Sequence, residues 1–231
     1  MDTNKHKLMM SQILKDIYSD LELANYLGFK GGTAMFLFYG LNRFSVDLDF
    51  NLLNAGKEDV VYEKIREIVL KYGKIDDEAK KFFGPVIVLN YGAGERNLKI
   101  EISNRQSECR YEMLDFMGIT MQVMTEPDMF ANKLCALLDR TALTNRDIFD
   151  CWFFMQKRTP INKEIVEKRM KKPFADYVQD CINALEKMSS NGLLNGLGEL
   201  VNPEMKSFVK NKLKSEVLTL LRFYREFPIE S

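Results

Sequence analysis

The sequence predicts an α+β fold, a mixed sheet flanked by helices in its first half and a helical C-terminal region after it. Runs with period-two alternation, clearest in residues 97–103, fall before residue 125. Runs with apolar residues at helical spacing dominate the second half. The expected division is residues 1–124 for the sheet-containing core and 125–231 for the helical domain.

Taken in order, residues 5–22 read as an amphipathic helix with Leu8, Ile13, Leu14, Ile17 and Leu21 near one stripe. Residues 27–30 form a short strand ended by Gly31 and Gly32. Both glycines permit positive φ and close backbone approach, and Thr33 can cap a helix over 34–39. A polar turn with Arg43 and Ser45 leads to a strand at 46–53. Residues 58–72 carry Val61, Ile65, Ile68 and Val69 at helical spacing, with Gly73 as the C-terminal cap. Residues 74–81 are charged without pattern and read as a solvated loop. Residues 85–91 and 97–103 flank a turn and suggest a hairpin, and 119–124 is a further strand.

The second half opens on a helix with Thr125 as N-cap, Pro127 in its first turn and Asp128 in the reciprocal capping position. Another helix begins near Thr144, where capping explains Asp147 and a surface ion pair with Arg146 explains Asp150. Residues 157–172 hold seven Lys or Arg against two Glu, which suits a solvated helix face or a surface for an RNA backbone. A loop is expected at 189–198 and one long closing helix at 206–227.

Composition narrows the chemistry. Formal net charge is zero, so any nucleic-acid contact has to come from a local patch. The single histidine, His6, argues against histidine acid–base chemistry and zinc hydrolysis. Cys109, Cys135, Cys151 and Cys181 have no metal-ligand spacing and read as reduced residues of a cytoplasmic protein. No apolar run approaches a membrane span, so no membrane partner is expected.

The chemistry concentrates in residues 29–53. On a strand Asp47 and Asp49 share one face, roughly 7 Å apart between Cα atoms. Like charges this close disfavour joint ionisation unless a cation sits between them. Mg²⁺, or Mn²⁺ in its stead, suits carboxylate oxygens and completes its shell with water and substrate phosphates. The glycine turn opens a helix whose first amides can receive phosphate.

The block GGTAMFLFYGLNRFSVDLDF resembles the AbiEii/AbiGii toxin-type nucleotidyltransferases, a branch of the polymerase-β-like superfamily. Its family pattern is a GG[ST] turn followed by R-x-S-x-D-L-D-F, met here by Gly31, Gly32, Thr33, Arg43, Ser45, Asp47, Leu48, Asp49 and Phe50. A second block, KLCALLDRTALTNRDIFD, is similar to the family's K-L-x-A-L-x-x-R and R-D-x-x-D motifs through Lys133, Arg140, Arg146, Asp147 and Asp150.

The resemblance implies a polymerase-β-like nucleotidyltransferase core and transfer of a nucleoside monophosphate from an NTP to a tRNA 3′ end. A protein acceptor, a small-molecule acceptor and an inactive nucleotide-binding regulator are the alternatives. It implies a cognate antitoxin, and a third metal carboxylate on a neighbouring strand, for which Glu101 is best positioned. Lys133 would contact the triphosphate. Asp147 or Asp150, with Asp147 preferred, would orient the lysine or the acceptor. Gly31, Gly32, Thr33, Arg43, Ser45, Arg140, Arg146 and Asp150 complete the expected nucleotide-binding set.

Overall fold

The computed structural model describes residues 2–105, 108–139 and 142–229. It divides into two compact units, one of residues 1–40 and 44–124, the other of 41–43 and 125–231.

The first unit begins with helices α1 (Thr3–Ser19) and α2 (Leu21–Tyr26). Asp20 ends the run expected at 5–22, because its carboxylate accepts from the amides of Glu22 and Leu23 and starts a new helix. The phase change leaves Leu21 exposed, while within α1 Ile13, Leu14 and Ile17 enter the core and Leu8, on the opposite face, stays exposed. Strand β1 (Leu27–Lys30), helix α3 (Gly31–Phe38), strand β2 (Asp47–Leu52) and helix α4 (Glu58–Leu70) follow. Strands β3 (Lys74–Lys81), β4 (Gly84–Asn90), β5 (Leu98–Ser103), β6 (Tyr111–Phe116) and β7 (Ile119–Met124) complete the unit.

Among the described residues these strands form one sheet in the order β3-β4-β5-β2-β1-β7-β6. Strands β2 and β5 run parallel, as do β1 and β7, and the other neighbours are antiparallel, so the sheet is mixed. One face carries Phe29, Leu48, Phe50, Ile87, Ile100 and Ile102, all fully buried. Helix α1 packs there through Tyr18 against Phe50, and Phe29 meets Phe50 at a 5.3 Å ring separation. Alternation sends Asp47, Asp49, Lys99 and Glu101 to the other face.

Three local expectations for this unit are corrected. Residues 74–81 are a strand, not a loop; it is the sheet's edge, and its charged side chains stay solvated while its backbone pairs with β4. Thr33 is not a cap: α3 starts two residues earlier, and the Thr33 hydroxyl donates to the backbone carbonyl of Asp47. Gly73 does not cap α4 but lets the chain pass Asn90, whose carbonyl would lie 2.3 Å from an added Cβ.

The second unit contains α5 (Glu126–Asp139), α6 (Asn145–Gln156), α7 (Lys163–Met170), α8 (Phe174–Lys187), α9 (Pro203–Asn211) and α10 (Leu213–Glu226). Thr125 does not cap α5, because its hydroxyl oxygen is buried without a hydrogen-bond partner; the buried Asp128 carboxylate accepts from Asn162. The closing helix is two helices, broken at Lys212, whose backbone (φ −130°, ψ −29°) leaves the helical region and whose carbonyl accepts from the Ser215 hydroxyl. Of the basic residues in 157–172, Lys157, Arg169 and Lys172 form ion pairs with Glu126, Asp139 and Asp180. Cys135, Cys151 and Cys181 are buried. No helix among the described residues is long and apolar enough to cross a membrane.

Candidate active site

In the first unit, the junction of β1 and α3 brings the glycine turn against β2. Gly31 has φ +80°, and a Cβ built there would lie 2.4 Å from Asp49 Oδ2, so only glycine allows this approach. Gly32 follows inside the helix without a positive φ. Thr33, buried, ties α3 to β2 through the Asp47 carbonyl.

Pairing then lines up the acids. Lys30 on β1 is opposite Asp49 on β2, Asp49 is opposite Glu101 on β5, and Asp47 is opposite Lys99. Asp47, Asp49 and Glu101 therefore share one face of two adjacent strands about 4.8 Å apart. Glu101 is not aimed solely at the aspartates: Lys99 Nζ donates to Glu101 Oε2 at 2.9 Å. Among the described residues no group of three His, Cys, Asp or Glu side chains converges in metal-holding geometry.

The electrostatics agree with this arrangement. Burial pushes the Asp49 carboxyl up, and Asp47 and Glu101 add to the rise against the opposing pull of Lys99. Burial also raises Glu101, but the Lys99 hydrogen bond and charge outweigh it and the net shift is downward. Burial would lower Lys99; the bond to Glu101 and the charges of Asp49, Glu101 and Asp47 reverse that and raise it. The face is thus organised around positive charge. Its donors are carboxylate oxygens alone, a set that fits a hard divalent cation.

The second unit contains a buried charged cluster. Arg43 Nε and Nη2 donate to the two oxygens of Asp150, each at 2.7 Å. Lys133 Nζ lies 2.8 Å from Asp150 Oδ2 and 3.5 Å from Asp147 Oδ1. Thr144 caps α6 by accepting from the Asp147 amide, and its hydroxyl donates to Asp147 Oδ2 at 2.7 Å. Asp150 is fully buried, so its partners are Arg43 and Lys133 rather than Arg146, which is half-buried near the start of α6. Burial raises Asp150, but Arg43 and Lys133 together hold it below the usual aspartate range. Burial lowers Lys133, and Asp150 and Asp147 more than restore it.

The sequence places Arg43 in one motif and Lys133, Asp147 and Asp150 in another, and the folded chain joins all four in one cluster. The sequence favours Asp147 for orienting the lysine; Asp150 is the nearer acid. Ser45 is buried, and Arg140 lies outside the described residues. The carboxylate face also carries two cations, Lys30, which the sequence did not mark, and Lys99, whose two-residue spacing makes it the neighbour of Glu101.

A glycine turn against paired strand aspartates in a mixed sheet, followed by a helical unit, defines a nucleotidyltransferase. Similar solved structures share the fold: a nucleotidyltransferase from H. pylori (22% identity, TM-score 0.65, covering 97% of this chain and 95% of that one) and JHP933 from Helicobacter pylori (21%, 0.63, 97% and 92%). MenT4, a nucleotidyltransferase toxin from Mycobacterium tuberculosis, is a third (16%, 0.61, 96% and 84%). No curated protein matches the sequence. The chain belongs to the AbiEii nucleotidyl transferase toxin family of type IV toxin–antitoxin systems, which it matches over residues 12–221. Membership implies an NTP substrate and a cognate antitoxin.

Proposed function

We propose that this enzyme transfers a nucleoside monophosphate from an NTP to a hydroxyl at the 3′ end of tRNA, using Mg²⁺ or Mn²⁺ held by Asp47, Asp49 and Glu101. The observation that carries this reading is the register of Asp49 with Glu101, with Asp47 on the same face and Gly31 against Asp49. A bound divalent cation supplies charge neutralisation for the triphosphate and the attacking hydroxyl.

The chain's own groups do the remainder. Asp47, Asp49 and Glu101 offer oxygens on one rigid surface, fixed by strand pairing rather than by loops. Gly31 lets the Asp49 carboxylate lie against the start of α3, whose first amides favour anions. Lys30 and Lys99 offset negative charge on that face. In the helical unit Lys133, oriented by Asp150, is the proposed phosphate-binding lysine, while the bidentate Arg43 fixes Asp150. The acceptor hydroxyl gives up its proton to solvent, its oxygen bonds to the α-phosphorus, the bond from that phosphorus to the bridging oxygen breaks, and pyrophosphate leaves with the bridging oxygen. This chemistry relies on positioning and charge rather than a histidine base. His6 is buried against Tyr91 and the Val46 carbonyl. Both substrates belong to the cytoplasm, where we take the enzyme to act.

Incubating the protein with each α-labelled NTP, Mg²⁺ and total RNA tests the reading. Label is expected on tRNA with at least one NTP. Label on protein instead would replace the acceptor, and no label on any acceptor from folded protein would overturn the reading.

A further inference from the structure

The Lys99 ammonium donates to Glu101 Oε2 at 2.9 Å. It projects from β5, opposite Asp47, into the face that carries all three carboxylates. Its side chain is 38% exposed and that of Glu101 42%, so this ion pair is open to solvent and to exchange of partners. The strand is fixed between β2 and β4, whereas the four-carbon lysine stem can swing without moving backbone.

We propose that Lys99 is a tethered counter-cation that a divalent metal must displace from Glu101 and that the triphosphate then takes up, so that metal and nucleotide bind as a pair. The inference rests on the metal-holding role proposed for the three carboxylates. Its logic is an exchange of ionic partners. Without a metal, three carboxylates on one face repel, and an ammonium bonded to one of them relieves that repulsion. Entry of a bare divalent cation breaks the Lys99–Glu101 bond and leaves two positive centres a few ångströms apart, which opposes binding. A metal carried on a triphosphate brings phosphate oxygens that accept from the released ammonium, and the opposition disappears. Lys30, opposite Asp49, adds a further positive charge on the same face and strengthens the bias against bare metal. By linkage, each ligand must raise affinity for the other by the same factor.

The test is Mn²⁺ titration of the full chain, following free Mn²⁺ by electron paramagnetic resonance, alone and with each of four α,β-methylene NTP analogues. For the parent, at least one analogue should raise Mn²⁺ affinity by about tenfold or more, the scale expected for one charge contact. Lys99→Gln, confirmed as folded by circular dichroism, should bind Mn²⁺ alone about tenfold more tightly than the parent and lose most of the analogue's effect. Lys99→Arg keeps the cation and should behave like the parent. The inference is overturned if Lys99→Gln binds Mn²⁺ alone no more tightly than the parent, or if the parent's affinity is the same with every analogue as without. A parent that binds no Mn²⁺ under any condition would overturn the metal-holding role and this inference together; the other two outcomes leave that role standing.

Discussion

Arg43 and Asp150, separated by 107 residues of chain, meet through two parallel hydrogen bonds of 2.7 Å in a fully buried site. Lys133, with Nζ 2.8 Å from Asp150 Oδ2, completes the neutralisation of the carboxylate. Removing the acid strands two cations, whereas removing Arg43 leaves Lys133 in place. Asp150→Ala should therefore lower unfolding free energy by about 3–5 kcal/mol, and Arg43→Ala by less. Urea unfolding measures both, and equal losses would contradict the asymmetry.

The same acid sets a pH dependence. Its folded pKa lies below the ordinary value of 3.8, so its stabilisation is present above that pH and is lost as pH falls through the folded value. Thermal midpoints of the parent and Asp150→Asn should differ at pH 7 and converge below pH 3.8. A gap that persists into stronger acid would mean that shape, not charge, carries the effect.

Asp49 has the opposite sign. Burial raises its pKa, so its charged form weakens the fold; the stability present below the ordinary value of 3.8 falls as pH rises past it and is lost once pH has passed the folded value. Asp49→Asn should leave the midpoint at neutral pH equal to or above the parent's while abolishing label transfer. A large drop in midpoint would make the residue structural.

Gly31 and Gly40 separate two reasons for a glycine. Both have positive φ, but a Cβ at Gly40 meets nothing within 4 Å, and one at Gly31 meets Asp49. Alanine at either position should cost about 1 kcal/mol in backbone strain. Only Gly31→Ala displaces the carboxylate, so only it should reduce transfer by about 100-fold, the scale of ångström-level misplacement at a reacting centre. Single-turnover rates for the two variants check this.

The sheet's interior was legible where alternation was strict. In Leu98–Ser103 the buried Leu98, Ile100 and Ile102 alternate with Lys99 and Glu101, as period-two reading expects. Strand β3 was not legible, because an edge strand exposed along its length needs no apolar alternation and its pairing is a backbone property. The break at Lys212 carries no glycine or proline to announce it, and it resides in one residue's dihedrals. At Asp20 the cap was present in the sequence, but the apolar stripe continuing to Leu21 concealed it.

Of the candidate site, the aspartate pair and the glycine turn could be read locally because Gly31, Asp47 and Asp49 lie within one supersecondary unit. The Arg43–Asp150 pair could not, since no local rule relates residues that far apart. Asp150 instead invited pairing with Arg146, its neighbour one helical turn away. Burial decided otherwise, by turning the carboxylate inward to cations that need it.

The parallel pairing of β2 with β5 also bears on quality control of this toxin. Shifting β5 by a single position would turn Ile100 and Ile102 outward to water and drive Lys99 and Glu101 into the greasy layer beneath. Such a mispaired chain would forfeit its cohesion together with its active centre. A chain that folds therefore keeps Asp49 beside Glu101.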